Sequence, residues 1–180
     1  MIYTLTLSPS LDYYMEVEDF TVGKINRSKH EQIKIGGKGL NVTMMLKEIN
    51  VLSTAIICTS SFTGNEIKNE LKTNDINFIN IPVDGMNRIN VKVLSNTETA
   101  INANGVFITK KHADYIIECL SKLQDGDYLV IAGNVPSNLS FNIYEYILTK
   151  IKNKNINLVI DVENNLLELL KFKPFLIKPN

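Results

Sequence analysis

"KIGGKGLNVTMMLKEIN", Lys34 to Asn50, sets three glycines and a lysine directly against a run with helical spacing. Glycine reaches positive φ without steric cost and leaves no side chain between backbone amides and a ligand. A helix start adds unsatisfied N–H groups that carry partial positive charge. Gly36, Gly37 and Gly39, with Lys38 among them, therefore suit an anion, and a phosphate on the ligand is the simplest choice. The spacing excludes a Walker A loop, which needs four residues between its first glycine and the Gly-Lys pair and a Ser or Thr after the lysine. From this stretch alone, a tight strand-to-helix turn with a solvated lysine stays open.

Outward from this stretch, strands and helices take turns. "IYTLTL" (Ile2 to Leu7) is β-rich and stopped by "SPS". "MEVEDFTVG" and "KHEQIKI" alternate apolar with polar residues, which predicts half-exposed strands. From Leu40, the positions Val42, Met45, Leu46 and Ile49 have helical spacing and predict a helix. "STAIICTS", "FINIPV", "DYLVIAGN", "NLVIDV" and "FLIKPN" read as strands, separated by helical patterns at Glu66–Asn74, Lys110–Gln124, after Ser140 as N-cap, and at "NNLLELLKF". Buried runs joined by helical crossovers predict an α/β fold with a parallel sheet flanked by helices. The one-faced strands near Met15 to Ile35, and "RINVKVLS" with "AINANG", break this rhythm and suit a small antiparallel β lid. One domain over residues 1–180 is expected, with the lid formed discontinuously by about 12–35 and 86–103.

Composition bounds the partners. With 180 residues, 44% hydrophobic, 21% charged, and 19 basic against 19 acidic side chains, the chain has no net charge to draw it to nucleic acid or a membrane surface. Any cationic site must be local. Cys58 and Cys119 lack the spacing of a zinc or disulfide framework and read as reduced core residues. The amino terminus has no basic and apolar leader, and no apolar run reaches about 18 residues, so a cytoplasmic protein is expected.

Three further features sit beside the glycine stretch. Asp12 follows the turn after the first strand, where open α/β sheets bind ligands, and could accept hydrogen bonds from hydroxyls or merely cap the turn. Arg88 opens a lid strand and could grip a phosphate with two parallel hydrogen bonds or stay solvated. "AGNVPSN" (Ala132 to Asn138) is a glycine-bearing loop after a buried strand, and an ordinary turn is the alternative.

In this order and at these intervals, "TLTLSPSLDYY", "GGKGLNVT", "NRINVKV", "IAGNVPSNLS" and "FLIKPN" resemble the amino-terminal portion of the PfkB (ribokinase-like) carbohydrate kinases. The resemblance covers the whole chain and leans toward the family's fructose 1-phosphate branch, with tagatose 6-phosphate kinases next. It implies a ribokinase-like core with a β lid, and ATP and magnesium (Mg) as cofactors. The implied reaction of a full-length form converts fructose 1-phosphate to fructose 1,6-bisphosphate. Asp12 would hold sugar hydroxyls, and Gly36, Gly37, Lys38 and Asn41 would cradle the sugar phosphate. Arg88 would clamp that phosphate from the lid, with Arg27 a second candidate. Lys178 and Asn180 would lie on the nucleotide side. A homodimer through the lid is also implied.

Ser8 and Asn134 depart from the family pattern, which usually has Asn and Ser there. A larger departure is that no "GAGD" or "GSGD" occurs, the motif that supplies the family's general base. A truncated chain, inactive alone, is therefore expected. A non-catalytic sugar-phosphate-binding remnant is the rival from another class, and a nucleoside or ribose kinase gives less reason for Lys38 and Arg88 to converge.

Overall fold

The structure, a computed structural model, describes residues 1–136 and 139–179. Its elements in chain order are β1 (Ile2–Thr6), β2 (Ser10–Glu16), β3 (His30–Gly36), α1 (Lys38–Glu48), β4 (Ser53–Thr59), α2 (Ser61–Thr73), β5 (Asn77–Pro82), β6 (Arg88–Leu94), β7 (Glu98–Ile101), α3 (Lys110–Leu120), β8 (Tyr128–Ala132), α4 (Ile143–Ile151), β9 (Asn157–Asp161), α5 (Leu166–Leu169) and β10 (Leu176–Ile177). A 3₁₀ turn, Leu170–Phe172, follows α5.

Six strands form a parallel sheet in the order β10-β9-β8-β1-β4-β5. The chain builds outward from β1 through β4 to β5, then returns to place β8 on the other side of β1. The order therefore reverses between β1 and β8, and in open α/β sheets the crevice beyond the carboxyl ends of the strands at such a point takes the ligand. Both faces are covered. Along β4, Ile56 and Cys58 point into the larger core with Leu5, Leu7, Ile116, Leu120, Tyr144 and Ile147, whereas Ala55 and Ile57 point into a smaller one with Leu40, Ile67 and Leu71. Burial on both faces explains why these strands read as continuous apolar runs. Burial also pushes the Cys58 thiol up to about 12, so it stays protonated as a small core hydrophobe.

The lid is a four-stranded sheet, β3-β2-β6-β7, and it is mixed rather than wholly antiparallel. β2 pairs with β3 antiparallel and β6 with β7 antiparallel, but β2 and β6 run parallel. The polar-apolar alternation of half-exposed strands carries no information on direction. The long intervening path through α1, β4, α2 and β5 supplies the crossover that parallel pairing needs. The first lid strand also starts earlier than expected: Ser10–Glu16 is strand, whereas most of "MEVEDFTVG" is not.

Helix α1 does not turn all of its apolar residues to the sheet. Leu40 and Thr43 are buried and Met44 packs against the smaller core, while Met45 and Ile49 are 62% and 59% exposed. The cause lies in the glycines. Gly37 has a φ of 120°, and a Cβ on Gly39 would meet Thr6 Oγ1 at 2.3 Å and the Leu5 carbonyl oxygen at 2.9 Å. Backbone thus lies on backbone where α1 begins, and this rotates the Leu40–Thr43–Met44 face inward, fixed by a 2.6 Å hydrogen bond between the Thr4 and Thr43 hydroxyls. Near α4 the expected N-cap also shifts: Asn142, not Ser140, accepts from the Glu145 amide at 3.1 Å.

Asn87, fully buried, ties the lid to the sheet. Its Oδ1 accepts from the Ser60 amide at 2.8 Å, and its Nδ2 donates to the Cys58 and Pro9 carbonyls at 3.0 and 3.3 Å. One side chain so joins the end of β4, the β1–β2 turn and the residue before Arg88. Replacing it with alanine strands three buried backbone groups, and Asn87→Ala should lower unfolding stability by about 3 kcal/mol in urea titration. The amino terminus is anchored likewise. The Met1 ammonium lies 2.7 Å from Asp127 Oδ1, and the Gln124 amide donates to Oδ2, which together hold the Asp127 carboxyl below the usual range. A depressed carboxyl contributes stability above its unfolded pKa of about 4 and loses it as pH falls through the folded value. Acid unfolding of Asp127→Asn should therefore show a shallower loss of stability below about pH 4 than the parent.

Candidate functional site

At the switch point, the carboxyl ends of β1 and β8 and the start of α1 enclose a hollow of about 60 Å³, lined by Thr6, Ser8, Gly37, Lys38, Arg88, Ala132, Gly133, Asn134 and Glu163. The lid is rooted beside it, since Ser10 pairs with Gly36 on one side and Arg88 on the other. Lys38 comes from the first turn of α1 and Arg88 from the first residue of β6, so two elements distant in sequence bring two cations to one space. Gly37 caps α1 without a side-chain hydrogen bond, which suits a helix start used for an anion. The Arg88 Nε is buried without a partner.

Lys38 Nζ lies 3.5 Å from both Asp161 Oδ1 and Glu163 Oε1, and Lys178 Nζ lies 3.4 Å from the same Asp161 oxygen. These separations are long and the lysines partly exposed, so each pair is worth about 0–1 kcal/mol. A charge-assisted hydrogen bond to a phosphate is worth about 1.5–3 kcal/mol. Lys38 also borders a second, wider hollow of about 460 Å³ with Asn41, Val42, Met45, Leu46, Asp161 and Lys178. The exposed apolar stripe of α1 forms one wall of that space.

Other residues singled out from the sequence fall elsewhere. Asp12, beyond the turn after β1, lies inside β2, opposite Lys34 and Asn90, where its Oδ1 accepts from the Ser10 hydroxyl and the Asn90 amide, each at 2.8 Å. Its position in the first strand of the lid follows from the early start of β2. Gly36 ends β3 beneath Asp12 and does not line the smaller hollow. Asn41 faces the wider hollow rather than the one shared by Lys38 and Arg88, because the rotation of α1 turns it outward. Arg27 is exposed in the segment between β2 and β3 and borders neither hollow. Asn180 lies outside the described residues, as do Ser137 and Asn138 of the "AGNVPSN" run.

Sequence reasoning missed Asp161, Glu163, Asn87 and the hydroxyls of Thr6 and Ser8. Only the last two left a signal: in "TLTLS" leucine alternates with hydroxyl residues, so Thr4, Thr6 and Ser8 share one face of β1 and its extension.

Comparisons with known proteins speak to the family and the fold. The sequence profile of the pfkB family carbohydrate kinases matches residues 6–180. Over 100% of its length the chain is 42% identical to a 1-phosphofructokinase of Bacillus subtilis, of which it covers 60%. It is 38% identical to a 1-phosphofructokinase of Borreliella burgdorferi, covering 59% of it, and 32% identical to a D-tagatose-1-phosphate kinase of Bacillus licheniformis, covering 60%. Among solved structures, phosphofructokinase-2 of Escherichia coli in complex with fructose-6-phosphate superposes with a TM-score of 0.88 at 21% identity, over 95% of this chain and 58% of that one, a likeness of fold. The chain spans about 60% of the length of the curated relatives it matches. With the glycine stretch, the parallel sheet and the mixed lid all in place, this chain belongs to the PfkB family of carbohydrate kinases.

Proposed function

We propose that these residues are the sugar-phosphate side of a kinase that transfers a phosphoryl group from ATP to fructose 1-phosphate, giving fructose 1,6-bisphosphate. The observation that carries this is the shared hollow of Lys38 and Arg88 at the topological switch point. Relatives named 1-phosphofructokinase, at 42% and 38% identity, favour that substrate over tagatose phosphates. The substrate phosphate takes Lys38, Arg88 and the start of α1. Asp12, with Oδ1 fixed by Ser10 and Asn90, offers Oδ2 to a sugar hydroxyl. Lys178 and Lys38, which border the wider hollow, would hold the phosphates of ATP there, and Lys38, bordering both spaces, would neutralise charge between donor and acceptor.

Phosphoryl transfer needs positioning, charge neutralisation and a base for the acceptor hydroxyl. These 180 residues contain no Gly-Ala-Gly-Asp motif, and in this reading they serve the first two, with no general base assigned among them. Magnesium bound to ATP would supply further charge neutralisation. Among the described residues no group of three His, Cys, Asp or Glu is placed to hold a metal ion, and Asp161 is engaged by two lysines, so no magnesium site is assigned to these side chains. Among the described residues no helix is long and apolar enough to cross a membrane.

Thermal-shift titration of the 180-residue polypeptide should show fructose 1-phosphate raising the melting temperature by linkage, and Lys38→Ala should abolish the effect. No ADP should form with magnesium ATP present. A shift with tagatose 6-phosphate alone would replace the substrate, a shift with no sugar phosphate would end the proposal, and ADP release above the Lys38→Ala background would place a base within these residues.

The lid also suits pairing with a second copy. Ile33 and Ile101, on the outer strands β3 and β7, are 59% and 63% exposed. Sedimentation should give a dimer for the parent and a monomer for an Ile33→Glu/Ile101→Glu variant. A monomeric parent would remove the lid interface from consideration.

A further inference from the structure

We infer that the hydroxyls of Thr6 and Ser8 are ligand-binding groups of the phosphate hollow. The inference rests on the proposed sugar-phosphate site and names two residues to which no role there has been given. Along β1 and its extension, Leu5 and Leu7 face the larger core, and Thr4, Thr6 and Ser8 alternate with them toward the α1 side. The innermost hydroxyl, Thr4, is satisfied by Thr43 at 2.6 Å. The outer two are not. Thr6 and Ser8 are 2% and 6% exposed, and Thr6 Oγ1 and Ser8 Oγ have no hydrogen-bond partner.

A buried hydroxyl without a partner is costly, and native structures keep one chiefly where something else satisfies it. Here both residues line the one hollow that also holds the unpartnered Arg88 Nε and the start of α1. Ser8 Oγ lies close to the lid as well: a Cβ on Gly105 would meet it at 3.0 Å and the Arg88 Cβ at 3.5 Å. The Thr6, Ser8 and Arg88 side chains thus border one small space, with Thr6 Oγ1 on its Gly39 side and Ser8 Oγ on its Gly105 side. A phosphate monoester, with several acceptor oxygens on one atom, can take all of these donors together with Lys38. An apolar group could satisfy none of them.

The test measures affinity for inorganic phosphate and for fructose 1-phosphate by thermal shift, with chloride at matched ionic strength as control. The variants are Ser8→Ala, isosteric Thr6→Val, Lys38→Ala and Arg88→Ala. Loss of a hydrogen bond to a charged ligand should weaken binding by about tenfold in Ser8→Ala and in Thr6→Val. The melting temperature without ligand should stay level or rise in both, because each substitution removes a buried polar atom that has no partner in the protein. A purely structural role predicts the opposite pair, a lower melting temperature with unchanged affinity, and that result would overturn the inference. If Lys38→Ala and Arg88→Ala lose binding while both hydroxyl variants bind like the parent, the phosphate site stands and the role of Thr6 and Ser8 falls. If the parent binds neither probe, the site itself falls.

Discussion

The start of α1 rests on the end of β1 with nothing but backbone and the Thr6 side chain between them, and the geometry of the carboxyl edge follows from that contact. Any side chain at Gly39 would push the helix off the strand. With the helix seated, its first turn points its uncapped end into the switch point between β1 and β8, and Lys38 leaves the helix beside Gly133. The same seating rotates Leu40 and Thr43 onto the sheet and turns Met45 and Ile49 outward. One close approach therefore sets both the hollow shared by Lys38 and Arg88 and the apolar wall of its neighbour.

The lid depends on a second tie, the three hydrogen bonds of Asn87. They fix the residue before Arg88 to β4 and to the β1–β2 turn, so the guanidinium enters the hollow from a rigid base rather than from a free strand end. Parallel pairing of β2 with β6 then aligns Ser10 with Arg88 and Asp12 with Asn90 in one register. Charge is arranged less rigidly than backbone. Asp161 engages Lys38 and Lys178 at 3.5 and 3.4 Å, distances at which each ion pair is weak and exchangeable. A carboxylate placed between two lysines keeps them near each other without committing either.

Much of the fold was legible because hydrophobic period reports burial. "STAIICT" and "YLVIA" are buried on both faces and read directly as central parallel strands. The period failed where contact geometry outweighed it. The spacing of Val42, Met45, Leu46 and Ile49 gave the helix but not its inward face, since seating at Gly39 leaves Met45 and Ile49 exposed and Val42 and Leu46 half-buried. Alternation in the lid strands gave one wet face but could not give strand direction. In the site, Lys38 and Arg88 stood out by charge and by their neighbouring glycine or strand start. Asp161 ends β9 and Glu163 lies in the bend after it, and no local pattern marks either.

The sequence by itself determined the α/β class, the strand-helix order, the glycine-rich helix start and the resemblance to PfkB kinases, because these rest on local conformation and on periodicity along the chain. Only the tertiary structure decided which residues share a hollow. Lys38, Arg88, Thr6 and Ser8 meet because β1, α1 and β6 converge at one end of the sheet, and Asn41 is turned away by the rotation of its helix. Such convergence depends on strand order and helix seating, which are properties of packing in three dimensions and have no period that a linear pattern can carry.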